Sequence, residues 1–288
     1  MQRDDGGRTV RAMVGRRPCG MRVMPLCAIS LSACGGISPA TDAAPTDAPQ
    51  LDASSPDAAT CVASPPGLRA HWRAEMDTSD ETTLYDGVAS GGVTYAPGRH
   101  GDAFRFDGAS GVVAADTGDK LYPSASFSVE AWVNTYSPNA VVVSKYDCGG
   151  AACSGSYWGL EIDVAGVVYF AFRIDGSQTN TLIARGPTVN DGDWHHVVGV
   201  RDVGRRQHLL YVDGTMVAAN SIAGADLGPI ADVDRESDPL TIGAGRTAGS
   251  NPNSSLLLGA IDEVAYYESA LTADQVAAIF VARDGICP

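Results

Sequence analysis

Apolar and polar residues alternate with a period of two along many short stretches of this chain. The clearest is 193–214, DWHHVVGVRDVGRRQHLLYVDG. Its first half places Trp194, His196, Val198 and Val200 on one face and His195, Val197, Gly199 and Arg201 on the other, since successive strand residues point to opposite sides. Gly204 to Arg206 interrupt the pattern, 208–212 resumes it, and Asp213-Gly214 suits a two-residue type I′ hairpin turn, where both central residues need positive φ. Residues 126–136 alternate equally well, with Phe127, Val129, Ala131 and Val133 opposite Ser128, Glu130, Trp132 and Asn134. Further strands are predicted at 67–72, 103–108, 140–146, 157–164, 167–174, 181–185, 216–220, 240–243 and 256–267, while 86–92 reads as a Gly-rich turn. One helix is predicted, after a capping box at Thr272 and Gln275, with an apolar stripe of Val276, Ile279 and Phe280 and Gly285 to stop it. Short strands at this spacing predict an all-β fold, a two-sheet antiparallel jelly-roll sandwich with one short C-terminal helix.

Composition agrees with that pattern: of 288 residues 44% are hydrophobic and 33 are Gly, enough for one sizeable core with many turns. The net charge of −14 argues against nucleic acid, because phosphate binding needs clustered Lys and Arg. The charge is uneven. Residues 1–33 hold six Arg and two Asp, leaving 14 basic and 32 acidic residues in the rest.

That basic start reads as an export leader. Arg16, Arg17 and Arg22 precede a short apolar run, 24–31, and then Leu31-Ser32-Ala33-Cys34. The last four residues resemble the bacterial lipobox, which implies a lipoprotein signal peptide at 1–33 and a lipid anchor on Cys34. Gly35 in the next position implies an outer-membrane or cell-surface destination. An ordinary signal peptide is the alternative. Residues 34–60 read as a disordered tether: Lys, Arg and aromatic residues are absent after Cys34, and Asp-Ala recurs at Asp42, Asp47, Asp52 and Asp57. Such a segment cannot bury enough apolar surface to fold. The folded domain is then 61–288.

Without the leader cysteines and Cys34, four remain, and an even number in an exported chain points to two disulfides. Cys148 and Cys153 enclose four small residues as a clipped loop, and Cys61 with Cys287 would tie the domain's ends. Free thiols or metal ligands are the alternative.

Several motifs in order resemble the laminin G-like, concanavalin A-like jelly-roll family: FRFDG at 104–108, FSVEAWV at 127–133, DWHHVVGV at 193–200, LYVDG at 210–214, LTIGAG at 240–245 and GAIDEVAYYESALT at 259–272. The resemblance implies a sandwich whose loops and sheet faces bind glycans, other proteins or calcium. It also implies a structural calcium ion between an early loop and the penultimate strand, here Asp86 and Asp262 with carbonyl help near Gly101, in line with the preference of hard cations for oxygen ligands. Hydrolytic relatives carry a Glu-x-Asp-x-x-Glu run; Glu161 and Asp163 fill two positions, but Gly166 stands in the third. His195 and His196 cannot share one ion, because adjacent strand residues diverge. Tyr157 and Trp158 are the aromatic candidates for ligand contact, since sugars stack on such rings. These residues together predict a surface-anchored, non-catalytic module for a glycan or surface protein. A structural or adhesive scaffold and a divergent glycoside hydrolase are the other readings.

Overall fold

The computed structural model describes residues 61–109, the backbone of 111–114, and residues 121–146, 156–174, 181–230, 239–245 and 255–287. The expectations for the leader, Cys34, the tether, Cys148 and Cys153 lie outside the described residues.

Fifteen strands and one α-helix are found among the described residues. The strands are β1 (Leu68–Trp72), β2 (Gly87–Ser90), β3 (Thr94–Pro97), β4 (Asp102–Asp107), β5 (Gly111–Ala114), β6 (Phe127–Thr135), β7 (Ala140–Tyr146) and β8 (Tyr157–Ile162). There follow β9 (Val167–Arg173), β10 (Leu182–Thr188), β11 (Trp194–Asp202), β12 (Gln207–Val212), β13 (Thr215–Ser221), β14 (Leu240–Ile242) and β15 (Leu258–Tyr267), then helix α1 (Ala273–Val281). They form two antiparallel sheets. The larger runs β13-β12-β11-β6-β15-β4-β3, with β1 also paired to β15; the smaller runs β10-β9-β8-β7-β14-β5-β2.

The alternation explains the packing. On β6 the face bearing Phe127, Val129, Ala131 and Val133 joins the main core between the sheets. Phe127 centres an aromatic group there, its ring 5.7 Å from those of Trp158 and Phe170 and 5.8 Å from that of Tyr266. Such contacts add about 0.5–1.5 kcal/mol each to area burial. Gly199 on β11 makes room for Phe170, since a Cβ there would lie 2.3 Å from the ring.

The other face of the larger sheet carries a second apolar layer beneath α1. Val276 and Ile279 of the helix pack with Val198, Val200, Leu209, Tyr211, Ala265 and Tyr267, and Phe280 stacks on Trp132 at 5.6 Å. The capping box forms as predicted: the Gln275 N–H donates to Thr272 Oγ1 and the Thr272 N–H to Gln275 Oε1. This layer also holds two acid–histidine hydrogen bonds, Glu130 with His196 at 3.0 Å and Glu263 with His71 at 2.7 Å. Tyr267 adds a hydroxyl donor to Glu130, so the buried carboxylate is not left unsatisfied. Beside it the Cys61–Cys287 disulfide forms, across a sequence separation of 226.

Asp213 and Gly214 adopt φ of 51° and 74°, as the type I′ turn requires, and register Val212 against Thr215. The predicted turn at 86–92 is corrected: Gly87–Ser90 is strand β2, paired with β5. Its side chains are half-buried to exposed, so it lacks the apolar alternation that marks a strand, and its partner supplies the order.

Candidate functional site

The smaller sheet has two faces, and β8 divides between them. Trp158, Leu160 and Ile162 enter the main core, so Tyr157, Gly159 and Glu161 point to the outer face. Trp158 is therefore not a ligand contact. It has 0% exposure, its Nε1 donates to the Leu121 carbonyl at 2.9 Å, and its ring stacks on Tyr266 at 5.3 Å. The same alternation puts Tyr157 on the outer face.

Register builds that face in rows across the strands. One row joins Tyr146 of β7, Tyr157 of β8 and Arg173 of β9; another joins Glu161 of β8, Tyr169 of β9 and Arg185 of β10. Between them runs a row of small residues, Thr241, Ser144, Gly159 and Ala171. Tyr146 stacks on Tyr157 with ring centres 4.6 Å apart and planes 15° from parallel. The Arg173 guanidinium lies 5.2 Å over Tyr157, and that of Arg185 lies 5.4 Å over Tyr169.

Glu161 ties the rows together. Tyr146 donates its hydroxyl to Oε1 at 2.8 Å and Tyr169 donates to Oε2 at 2.5 Å. The Tyr146 bond crosses the small row at Gly159, where a Cβ would sit 2.9 Å from Glu161 Oε1. Glycine is required there by space, not by backbone angle. Burial raises the Glu161 carboxyl above its ordinary range, against the opposing pull of the two tyrosine hydroxyls. Burial also raises the Tyr146 and Tyr169 hydroxyls, with the Glu161 charge adding to it, so both stay protonated donors at neutral pH.

Asp163, two residues along, is committed elsewhere. It accepts the N–H groups of Ala165 and Val167 and pairs with Arg185 at 2.5 Å. Its slight burial is outweighed by these donors, which hold its carboxyl below the usual range. Retaining hydrolysis needs a second free carboxyl about 5 Å from the first; Asp163 is instead a turn cap and an ion-pair partner.

The stretches of Asp262 and Gly101 do meet, with the polarity reversed from that of a cation site. Asp262 accepts N–H bonds from Arg99 at 2.8 Å, His100 at 2.9 Å and Glu263 at 2.8 Å. The Gly101 carbonyl accepts the Gly98 N–H. Asp86 caps a separate turn by accepting the Asp80 N–H at 3.0 Å. Donors pointing at a carboxylate take the directions a calcium ion would need, so these two residues as placed do not fit the ion. Among the described residues no group of three or more His, Cys, Asp and Glu is placed to hold a metal.

The histidines diverge as the strand geometry requires. His195 lies between Asp213 at 2.8 Å and Asp191 at 3.1 Å, and His196 is buried against Glu130. The candidate face adds Tyr146, Tyr169, Arg173 and Arg185, which the sequence did not single out. Alternation in 167–174 carries half the signal, since it puts Tyr169, Ala171 and Arg173 on one side; the register that sets them beside Glu161 is tertiary.

The profile of the Concanavalin A-like lectin/glucanases superfamily matches residues 106–277, more than half of the chain. The chain belongs to that family. Its fold is similar to domain 4 of AbnA, a GH43 extracellular arabinanase from Geobacillus stearothermophilus solved in complex with arabinotriose, at 19% identity and TM-score 0.55, covering 73% of this chain and 97% of that one. It is also similar to the binding domain of Paraclostridial Mosquitocidal Protein 1, at 14% identity and TM-score 0.56, covering 74% of this chain and 52% of that one. The binding domain of Botulinum Neurotoxin DC in complex with SialylT is similar at 12% identity and TM-score 0.52, covering 74% of this chain and 50% of that one. This chain thus spans all but a few per cent of the arabinanase domain and about half of the two toxin domains. A search of curated proteins gave no match.

Proposed function

We propose that the folded domain is a non-catalytic carbohydrate-binding module, and that the outer face of the smaller sheet is where sugar docks. The observation that carries this reading is the Tyr146–Tyr157–Tyr169 group around Glu161. Aromatic rings offer a sugar its apolar face, and a fixed carboxylate accepts its hydroxyls. The Glu161–Asp163 pair favours binding over hydrolysis, because Asp163 is already saturated by two N–H groups and Arg185. Two solved proteins of similar fold support the reading, an arabinanase domain in complex with arabinotriose and a neurotoxin binding domain in complex with SialylT; fold alone does not transmit function. In the same reading the leader exports the chain, Cys34 carries a lipid, and 34–60 holds the module off an outer membrane. The partner is a glycan or glycosylated surface protein, reached without nucleic acid and with the membrane touched only through the lipid.

Affinity electrophoresis of the full chain in gels with soluble polysaccharides, alongside assay of released reducing ends, tests the reading. Retarded migration without new reducing ends is expected. Release of reducing ends that Glu161→Gln abolishes would replace binding with hydrolysis, and unretarded migration in every gel would favour a scaffold.

A further inference from the structure

His195 stands at the start of β11 with a carboxylate on each side of its ring. Its Nε2 lies 3.1 Å from Asp191 Oδ1 and its Nδ1 lies 2.8 Å from Asp213 Oδ2. A neutral imidazole has one donor nitrogen and one acceptor nitrogen, whereas an ionised carboxylate only accepts. Both carboxylates are therefore satisfied only by the doubly protonated, charged ring. The acids themselves do not carry the proton. The side chains of Asp191 and Asp213 are 56% and 38% exposed, and carboxyls open to water ionise near about pH 4. Each is also held in place, Asp191 Oδ1 by the Asp193 N–H and Asp213 Oδ1 by the His196 N–H, both at 3.0 Å.

The charges acting on the ring are those of Asp213 and Asp191, and β6 sets the uncharged Val133 in register beside it. Burial of the ring opposes its charge, and the two carboxylates outweigh that, so the His195 pKa is raised above 6.5.

The two acids belong to different parts of the fold. Asp191 lies in the β10–β11 loop, where the Gly192 N–H donates to the Thr135 carbonyl at 3.1 Å and the Gly192 carbonyl accepts Asn134 Nδ2 at 2.5 Å. Gly192 supports the Tyr136 ring, since a Cβ there would lie 2.1 Å from it, and Tyr136 is 72% exposed. Asp213 lies in the type I′ turn, whose Gly214 backs onto Phe280 of α1.

We infer that Asp191, His195 and Asp213 form a proton-operated pin, which fastens the β10–β11 loop to the β12–β13 turn while His195 is charged and frees the loop when the ring loses its proton. The one N–H of the neutral ring stays toward Asp213, the shorter contact, and the bare Nε2 then faces the Asp191 carboxylate, acceptor against acceptor. The sign follows from the raised pKa: the pin is complete below pH 6.5 and is lost as pH rises through the pKa of the folded ring. Freeing the loop takes away the support beneath Tyr136, so this exposed ring is held below that pKa and loosened above it.

Two measurements on the full chain test the pin. Long-range proton–nitrogen NMR spectra of histidine-labelled protein read the protonation of both ring nitrogens of His195. Hydrogen exchange with mass spectrometry, corrected for the intrinsic effect of pH, reads residues 189–193. The ring is expected to titrate above 6.5, with both nitrogens protonated at pH 6. Corrected exchange of the loop is expected to be faster at pH 9 than at pH 6, by about tenfold for each unit that the ring titrates above 6.5, while β6 stays protected. His195→Gln keeps a donor and removes the charge, so its loop should exchange fast at both pH values. A ring that titrates at or below 6.5, or a raised titration with loop exchange flat in pH, overturns the pin. So does a wild-type pH dependence that survives in His195→Gln; where that variant does not fold, the two wild-type measurements decide alone.

Discussion

Tyr169 and Glu161 sit directly opposite each other on neighbouring strands, and the tyrosine hydroxyl donates to the carboxylate at 2.5 Å. A carboxylate this buried needs its donors, since an unsatisfied polar group costs about 1–3 kcal/mol. Tyr169→Phe removes one hydroxyl and keeps the ring. Urea denaturation is expected to show a loss of about 1–3 kcal/mol, with Tyr146→Phe behaving alike. A loss confined to Tyr169→Ala would mean that the ring, and not the hydrogen bond, holds the site.

Acid acts on the same carboxylate. Because burial raises the Glu161 carboxyl, it takes up a proton at higher pH than an ordinary glutamate does. A protonated Glu161 donates where a sugar hydroxyl must donate. Glycan affinity measured from pH 7 to pH 4 is therefore expected to fall, and to be flat over that range in Glu161→Gln.

His208 governs stability with the sign that the fold requires. Its ring lies 4.9 Å from that of Phe170 and 4.7 Å from that of Phe172. Burial, reinforced by the Arg201 charge, pushes its pKa down from 6.5 to about 3, against a weaker upward pull from Phe170 backbone. The folded state thus prefers the neutral ring. That contribution is fully present above pH 6.5 and is lost as pH falls toward 3, at about 1.4 kcal/mol per pH unit for one group. Melting temperature should drop steadily between pH 6.5 and pH 4 in wild type, and His208→Leu should shallow that slope. An equal slope in both proteins would assign the acid sensitivity elsewhere.

The Cys61–Cys287 bond closes nearly the whole domain into one loop, so it limits the unfolded chain strongly. Replacing both cysteines by serine is expected to cost about 2–5 kcal/mol in chemical denaturation. Mass spectrometry of the unreduced protein should find the linked peptides; free thiols at 61 and 287 would contradict the pairing.

What the sequence made legible follows the physics of each element. Strands β6 and β11 could be read because one face of each packs on the main core and must alternate; even the divergence of His195 and His196 follows from that period. The α1 cap was legible because Thr272 and Gln275 are local partners. Strands β2 and β3 were not, since edge strands of four residues with exposed or half-buried side chains carry little apolar signal, and β5, four residues between β14 and β2, was not read either. Trp158 was misplaced for want of one parity: Leu160 and Ile162 share its face and go to the core, which leaves Tyr157 outside. Asp262 was expected to meet carbonyl oxygens near Gly101 around a calcium ion; in the fold the N–H groups of Arg99 and His100 face its carboxylate instead. Glu161 was weighed as a lone acid, and its tyrosine partners come from the two neighbouring strands, β7 and β9, whose register no single segment encodes.

The central claim is that sugar binds on the tyrosine face around Glu161. A glycan array probed with wild type and Tyr169→Ala at equal concentration measures it most directly. Binding to a group of glycans by wild type, lost in Tyr169→Ala while both proteins melt as folded domains, is the predicted result. No glycan above background for wild type, or the same glycans bound equally by both, would contradict it.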